Sequence, residues 1–157
     1  MYEHYKRARD AAWKALLDSR VDTLPVNLWQ VAKQFDLGIH IYSKSSVTQL
    51  FKKEVLNGDG LIVCIGEKKE IFLNDKIENR NRRRFTLAHE LGHGILDHDI
   101  GMIHYRNSEI DSQTDMQELE ANVFARDLLM PATVLAALDI HTPEEIMELC
   151  HVSYQSA

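Results

Sequence analysis

His89, Glu90 and His93 stand in the order H-E-x-x-H within Phe85-Thr-Leu-Ala-His-Glu-Leu-Gly-His93, a stretch whose composition permits a continuous helix. On a helix, positions i and i+4 lie on one face, so both imidazoles can reach a single ion. Glu90 is turned about 100° from His89, at 3.6 residues per turn, and so flanks such an ion without ligating it. Metal-assisted hydrolysis needs these residue types. A zinc ion with an open position lowers the pKa of water to about 7, and a nearby carboxylate takes the proton as the water attacks a carbonyl. His89 and His93 are therefore the expected metal ligands and Glu90 the expected general base. A chance match on a surface helix would put the histidines on a polar face. Here Phe85, Leu96 and the small Gly92 border the stripe, and imidazoles among apolar neighbours are costly without a shared partner.

A third ligand has to come from Asp97, His98, Asp99, Glu109, Asp111, Asp115, Glu118 or Glu120. Asp99 falls six residues after His93, the spacing at which some H-E-x-x-H zinc enzymes place a third ligand after a glycine turn. Leu96 occupies the place of that glycine and favours a continuing helix, which carries Asp99 away from the ion. His98, near the helix end, is expected to meet the helix dipole and to play a structural or supporting part. In Glu118-Leu-Glu-Ala-Asn-Val-Phe-Ala-Arg-Asp-Leu-Leu-Met-Pro131, Glu118 shares a helical face with Ala121, Ala125 and Leu129. A carboxylate on such a face is out of place unless it is paired or bound to a cation. Glu120 lies almost opposite, in line with Asp127, and reads as part of a solvated edge. Phe124 lies close to that edge, so helical phase by itself leaves both glutamates open. Asn122, one turn after Glu118, is placed to hold a ligand histidine from behind.

The elements that must position these groups can be read in outline. Tyr5, Ala8, Ala12 and Leu16 recur at helical spacing, and Asn27 is an N-cap for a helix over Leu28 to Phe35 closed near Gly38. Gly38 to Tyr42 alternates like a strand, and Leu61 to Ile65 and Glu70 to Leu73 flank Gly66-Glu-Lys-Lys as a hairpin does. Helices follow over about 79 to 98, 114 to 130 and 143 to 150, the last opened by Thr142, Pro143 and Glu145 as a capping box. Strands first and helices after predict an α+β domain with a small mixed or antiparallel sheet, N-terminal helices and a C-terminal helical half that carries the site. The 157 residues fit one domain. Its parts are N-terminal helices and sheet (1–78), the site helices (79–131) and a C-terminal helical segment (132–157).

The formal net charge of −6 argues against direct nucleic-acid binding, which needs a basic face. The cluster Arg80, Arg82, Arg83 and Arg84 is the local exception and reads as a solvated first helical turn. No stretch approaches a membrane span, and the charged N-terminus does not resemble a signal peptide, so the expectation is a cytoplasmic protein with no membrane partner. Cys64 and Cys150 have no ligand-like spacing and read as reduced, structural thiols.

Arg84-Phe-Thr-Leu-Ala-His-Glu-Leu-Gly-His93 and Glu118-Leu-Glu-Ala-Asn-Val-Phe-Ala, with Leu128-Leu-Met-Pro131 after them, resemble the two signature segments of the ImmA/IrrE metallopeptidases. The resemblance extends to Leu24-Pro-Val and the closing Val152-Ser-Tyr. It implies a gluzincin-like zinc site with ligands His89, His93 and Glu118 and a catalytic Glu90. It also implies a protein substrate, a helix-turn-helix repressor whose cleavage releases mobile-element, prophage or stress genes. Members of the family usually continue into a further, often arginine-bearing helix, so a chain stopping at Ala157 reads as a short or truncated member.

The expected reaction is peptide hydrolysis at one zinc ion. The oxyanion donor is not assigned; His98, His104 and Tyr105 are candidates because they fall in or near the segment between the site helices, and about 99 to 113 can form a rim or lid. A binding module that holds a structural ion and controls a repressor by association is the alternative, and Glu90 argues against it. A zinc hydrolase acting on another bond is a second alternative, since motif and fold do not fix substrate.

Overall fold

The structure, a computed structural model, describes residues 1–51, 53–100 and 112–157. Helix α1 (Tyr2–Asp18) is followed by α2 (Leu28–Gln34), strand β1 (Gly38–Ile41), two 3₁₀ turns and the short α3 (Lys53–Leu56). Strands β2 (Gly60–Ile65) and β3 (Lys68–Leu73) lead into α4 (Arg80–Ile95), α5 (Ser112–Leu129), α6 (Ala132–Ala137) and α7 (Pro143–Cys150). The fold is α+β with a mixed sheet. Its order is β1-β3-β2, with β1 parallel and β2 antiparallel to β3. Gly66, at φ +65°, begins the two-residue β2–β3 turn, where a positive φ suits the twist of a hairpin.

Alternation along the strands divides the apolar side chains between two layers. Ile62, Ile71 and Leu73 join the main core with the helices, while Leu61, Val63 and Phe72 pack under Tyr42, Val47 and Phe51. In the helical half, α5 packs against both α4 and α1. Ala8, Ala12 and Ala15 of α1 are fully buried, as are Ala121, Ala125, Leu128 and Leu129 of α5. Small residues on these faces let the helix axes approach closely.

Local signals explain most boundaries. The Asn27 side chain accepts from the Trp29 and Gln30 backbone N–H groups, and Asn79 accepts from Arg82 N–H at 3.0 Å. The capping box of Thr142 and Glu145 opens α7. Two expectations need correction here. The helix expected through about residue 98 stops at Ile95. Leu96 is still right-handed, but Asp97 turns left-handed at φ +56° and His98 N–H returns to the His93 carbonyl at 3.1 Å. That is a Schellman closure. Lys69 Nζ, reaching across from β3, donates to Gly94 O at 2.9 Å. The arginine cluster is also not uniformly solvated. Arg84 is partly buried, donating to Val26 O at 2.6 Å and Cys150 O at 3.3 Å, while Arg82 pairs with Asp59. Helix α6 follows Pro131 directly and is an addition to the helices expected from the sequence. Among the described residues, no helix is long and apolar enough to cross a membrane.

Candidate metal centre

The close packing of α4 on α5 brings the candidate ligands together. A Cβ added at Gly92 would meet Ala121 Cα at 3.2 Å and the Phe124 ring at 3.1 Å. Glycine at this crossing therefore lets α5 lie close enough for its side chains to reach those of α4. His89 Nε2 and His93 Nε2 are 3.0 Å apart, and the Glu118 carboxylate oxygens lie 3.2 Å from the first and 3.3 Å from the second. The three form a group able to hold a metal ion. The imidazoles are mostly buried, whereas the Glu118 side chain is 50% exposed. Glu118 thus forms the open rim of a shallow site.

Hydrogen bonds behind the rings turn their lone pairs inward. Asn122 Oδ1 lies 3.0 Å from His89 Nδ1, so the ring proton belongs on Nδ1 and the Nε2 lone pair faces Glu118. For His93 the argument runs through His98. Glu120, kept ionised by its partners, is acceptor-only, so His98 Nε2 carries a proton and donates to Glu120 Oε2 at 2.8 Å. Burial lowers the His98 pKa and outweighs the charge of Glu120, so the ring stays neutral near pH 7. Its Nδ1 is then an acceptor, 3.0 Å from His93 Nδ1, which must donate. His93 Nε2 is left with its lone pair in the site.

Two imidazole lone pairs and a carboxylate converging in this way repel one another unless a cation or a proton joins them. Zn–N and Zn–O bonds of about 2.0–2.1 Å at tetrahedral angles place ligand atoms about 3.3 Å apart, close to the observed spacing. The donor set therefore fits zinc. The electrostatics of the site have the same sign. Hydrogen bonds from His89 and then His93 hold the Glu118 carboxyl far below the usual carboxylate range. Burial lowers the His89 pKa, but the hydrogen bond to Glu118 and the charges of Glu90 and Glu118 outweigh it and raise it. Glu90, next to His89 on α4, is buried.

The remaining candidates separate cleanly. Asp99 is not in the group, although the reason differs from the one expected: the chain leaves the helix at Asp97 instead of extending it. His98 does not interact with the carbonyl end of α4 through its ring. Both its nitrogens are committed to His93 and Glu120 and its side chain is 2% exposed, so it cannot serve as an oxyanion donor. His104, Tyr105, Glu109, Asp111 and most of the expected rim lie outside the described residues.

Glu120 overturns the expectation of a solvated edge. Its side chain is 2% exposed, and it accepts from His4 Nδ1 at 2.8 Å and Arg7 Nη1 at 2.6 Å as well as from His98. Burial raises its pKa, but the bonds from His4, His98 and Arg7 outweigh that effect and keep the carboxyl low. Asp127 is likewise buried, beside Arg126. The reason is α1, which covers this line of α5 and brings Arg7 and His4 to Glu120. The only sign of this in the sequence is His4 and Arg7, one turn apart and next to buried Ala8.

No curated protein matches the chain. The model of the IrrE N-terminal-like domain matches residues 36–157, a span that includes both site helices. On that match the chain belongs to the Peptidase_M78 family and carries its metallopeptidase-type function.

Proposed function

We propose that the protein is a zinc-dependent peptidase whose metal is held by His89 Nε2, His93 Nε2 and the Glu118 carboxylate. The observation that carries this reading is the convergence of three lone-pair donors at 3.0–3.3 Å, each histidine ring oriented from behind by a hydrogen bond. Zinc in this site supplies a Lewis acid that polarises a carbonyl and makes water acidic enough to act as a nucleophile at neutral pH. The Glu90 carboxylate, one residue from a ligand and buried, takes the proton from the attacking water and passes it to the nitrogen of the leaving amine. Burial of Glu90 shields that carboxylate from bulk solvent, and its charge acts on His89. Family membership supports the peptide bond as the target. The sequence resemblance supports a helix-turn-helix repressor as the substrate, with derepression of mobile-element, prophage or stress genes as the result.

The test incubates zinc-loaded wild type and Glu90→Gln with the helix-turn-helix protein encoded beside the gene. Wild type should yield discrete fragments and Glu90→Gln should yield none while still binding zinc. If both leave the repressor intact yet relieve its DNA binding equally, the protein acts by association and the peptidase reading fails.

A further inference from the structure

Among the described residues, a polar cluster behind His93 joins three parts of the chain that sequence separates widely. From the site outward it runs His93 Nδ1 to His98 Nδ1 (3.0 Å), His98 Nε2 to Glu120 Oε2 (2.8 Å), and Glu120 to Arg7 (2.6 Å) and His4 (2.8 Å). Arg7 also donates to the Leu96 carbonyl at 2.6 Å, at the turn that ends α4. That turn, closed by left-handed Asp97, is what folds His98 back beside His93.

We propose that His98 and Glu120 are positioning residues for the metal centre, and that α1 is part of that centre because Arg7 and His4 fix Glu120. The inference rests on the zinc site assigned above. A ligand imidazole whose rear N–H is held by an acceptor keeps one tautomer and one ring orientation, and loss of such partners typically lowers metal affinity by about 10–100-fold. His89 has a short version of this support, a single exposed Asn122. His93 has a longer and buried one, in which the His98 ring links it to a carboxylate that two α1 side chains hold in place. Residues 1–35, including all of α1, precede the segment matched by the family model, so this support is supplied from outside the matched region. A purely architectural role does not account for the geometry. Arg7 and His4 alone could satisfy the Glu120 carboxylate, yet the second nitrogen of His98 lies 3.0 Å from Nδ1 of a candidate ligand.

The test uses the full chain with three variants, reading zinc affinity by competition with a chelator, the d–d absorption of the cobalt-loaded protein, and thermal melting. His98→Gln can still bond Glu120 from the Nε2 position but loses the acceptor at Nδ1. It should stay folded, bind zinc about 10–100-fold more weakly and show an altered cobalt spectrum. His98→Asn places an amide oxygen where Nδ1 stood and should recover most of the affinity and the wild-type spectrum, although it gives up Glu120. Arg7→Leu, at a half-exposed position on α1, should lower affinity several-fold. The proposal is overturned if His98→Gln binds zinc like wild type with an unchanged spectrum, or if His98→Asn is no better than His98→Gln. Should His98→Gln fail to fold, an Arg7→Leu protein with wild-type affinity and spectrum overturns it equally. A wild type that binds neither zinc nor cobalt fails at the earlier step, the site assignment itself.

Discussion

Gly92 of α4 stands so close to Ala121 of α5 that a Cβ on the glycine would lie 3.2 Å from Ala121 Cα and 3.3 Å from its carbonyl oxygen. It would also meet the buried Phe124 ring at 3.1 Å, and of these neighbours the Ala121 backbone cannot swing aside as a side-chain tip can. Gly92→Ala gains about 1 kcal/mol in helix propensity, and overpacking costs about 1–3 kcal/mol, so global stability should fall by about 0–2 kcal/mol. Helix spacing should change more. Zinc affinity is expected to fall in Gly92→Ala and further in the β-branched Gly92→Val, because Glu118 rides on α5 one turn from Ala121. Chelator competition measures this, and equal affinities across the series would show that the α4–α5 spacing does not set the site.

Asn122 is exposed, and its Oδ1 lies 3.0 Å from His89 Nδ1. Asn122→Ala should leave the melting temperature of the metal-free protein nearly unchanged, within about 0.5 kcal/mol as expected for surface substitutions. It should weaken zinc binding about tenfold, at the lower end of what such supporting groups contribute. Asn122→Asp keeps an acceptor at the same place and should restore the affinity. A variant pair that differs from wild type only in stability would assign Asn122 to the fold and not to His89.

Much of the site was legible because its residues interact over one helical turn. His89 and His93 share a face by spacing alone, and the capping residues Asn27 and Thr142 each act within a few positions of themselves. Glu118 was harder. Its face on α5 points to a buried partner, but helical phase leaves Glu120 equally open, and only the resemblance to a known family favours Glu118. Glu120 itself was misread because helical phase reports only how residues on one helix relate to one another. Its partners His4 and Arg7 sit more than a hundred residues earlier, and no periodicity in α5 encodes a helix packed on its far side. The end of α4 was missed for a different reason. Asp97 adopts a left-handed conformation that asparagine and aspartate tolerate, but nothing in Leu96-Asp-His favours it over another helical turn. The Lys69 contact from β3 is part of what selects it.

Protonation of the metal-free site gives a signed pH dependence. Glu118 has a depressed folded-state pKa, so its stabilisation is present above its unfolded value and is lost as pH falls through the depressed one. His89 has a raised pKa, so its share is present below about pH 6.5, the unperturbed histidine value, and is lost as pH rises through the raised one. The two overlap in mild acid. In chelator-treated protein, the excess of the wild-type melting temperature over that of Glu118→Gln should be largest near pH 5–6 and shrink toward pH 8 as His89 loses its proton. Zinc-loaded protein should show the opposite trend, since binding displaces that proton. A wild-type advantage that stays flat from pH 5 to 8 in the absence of metal would contradict the coupling of Glu118 to His89.

Ligand and catalytic roles can be separated by melting alone. An ion that binds the folded chain at 100 times its dissociation constant stabilises it by about 2.7 kcal/mol. For a chain of this size that corresponds to a rise in melting temperature of about 5–10 °C, at about 2–4 °C per kcal/mol. His89→Ala, His93→Ala and Glu118→Ala should each abolish most of the zinc-induced rise, because two remaining donors leave the ion poorly held. Glu90→Gln should keep the rise, since Glu90 is not among the three converging donors. Loss of the rise in Glu90→Gln would make Glu90 a ligand. Retention of it in Glu118→Ala would remove Glu118 from the metal shell and shift the search for the third donor to the segment between α4 and α5.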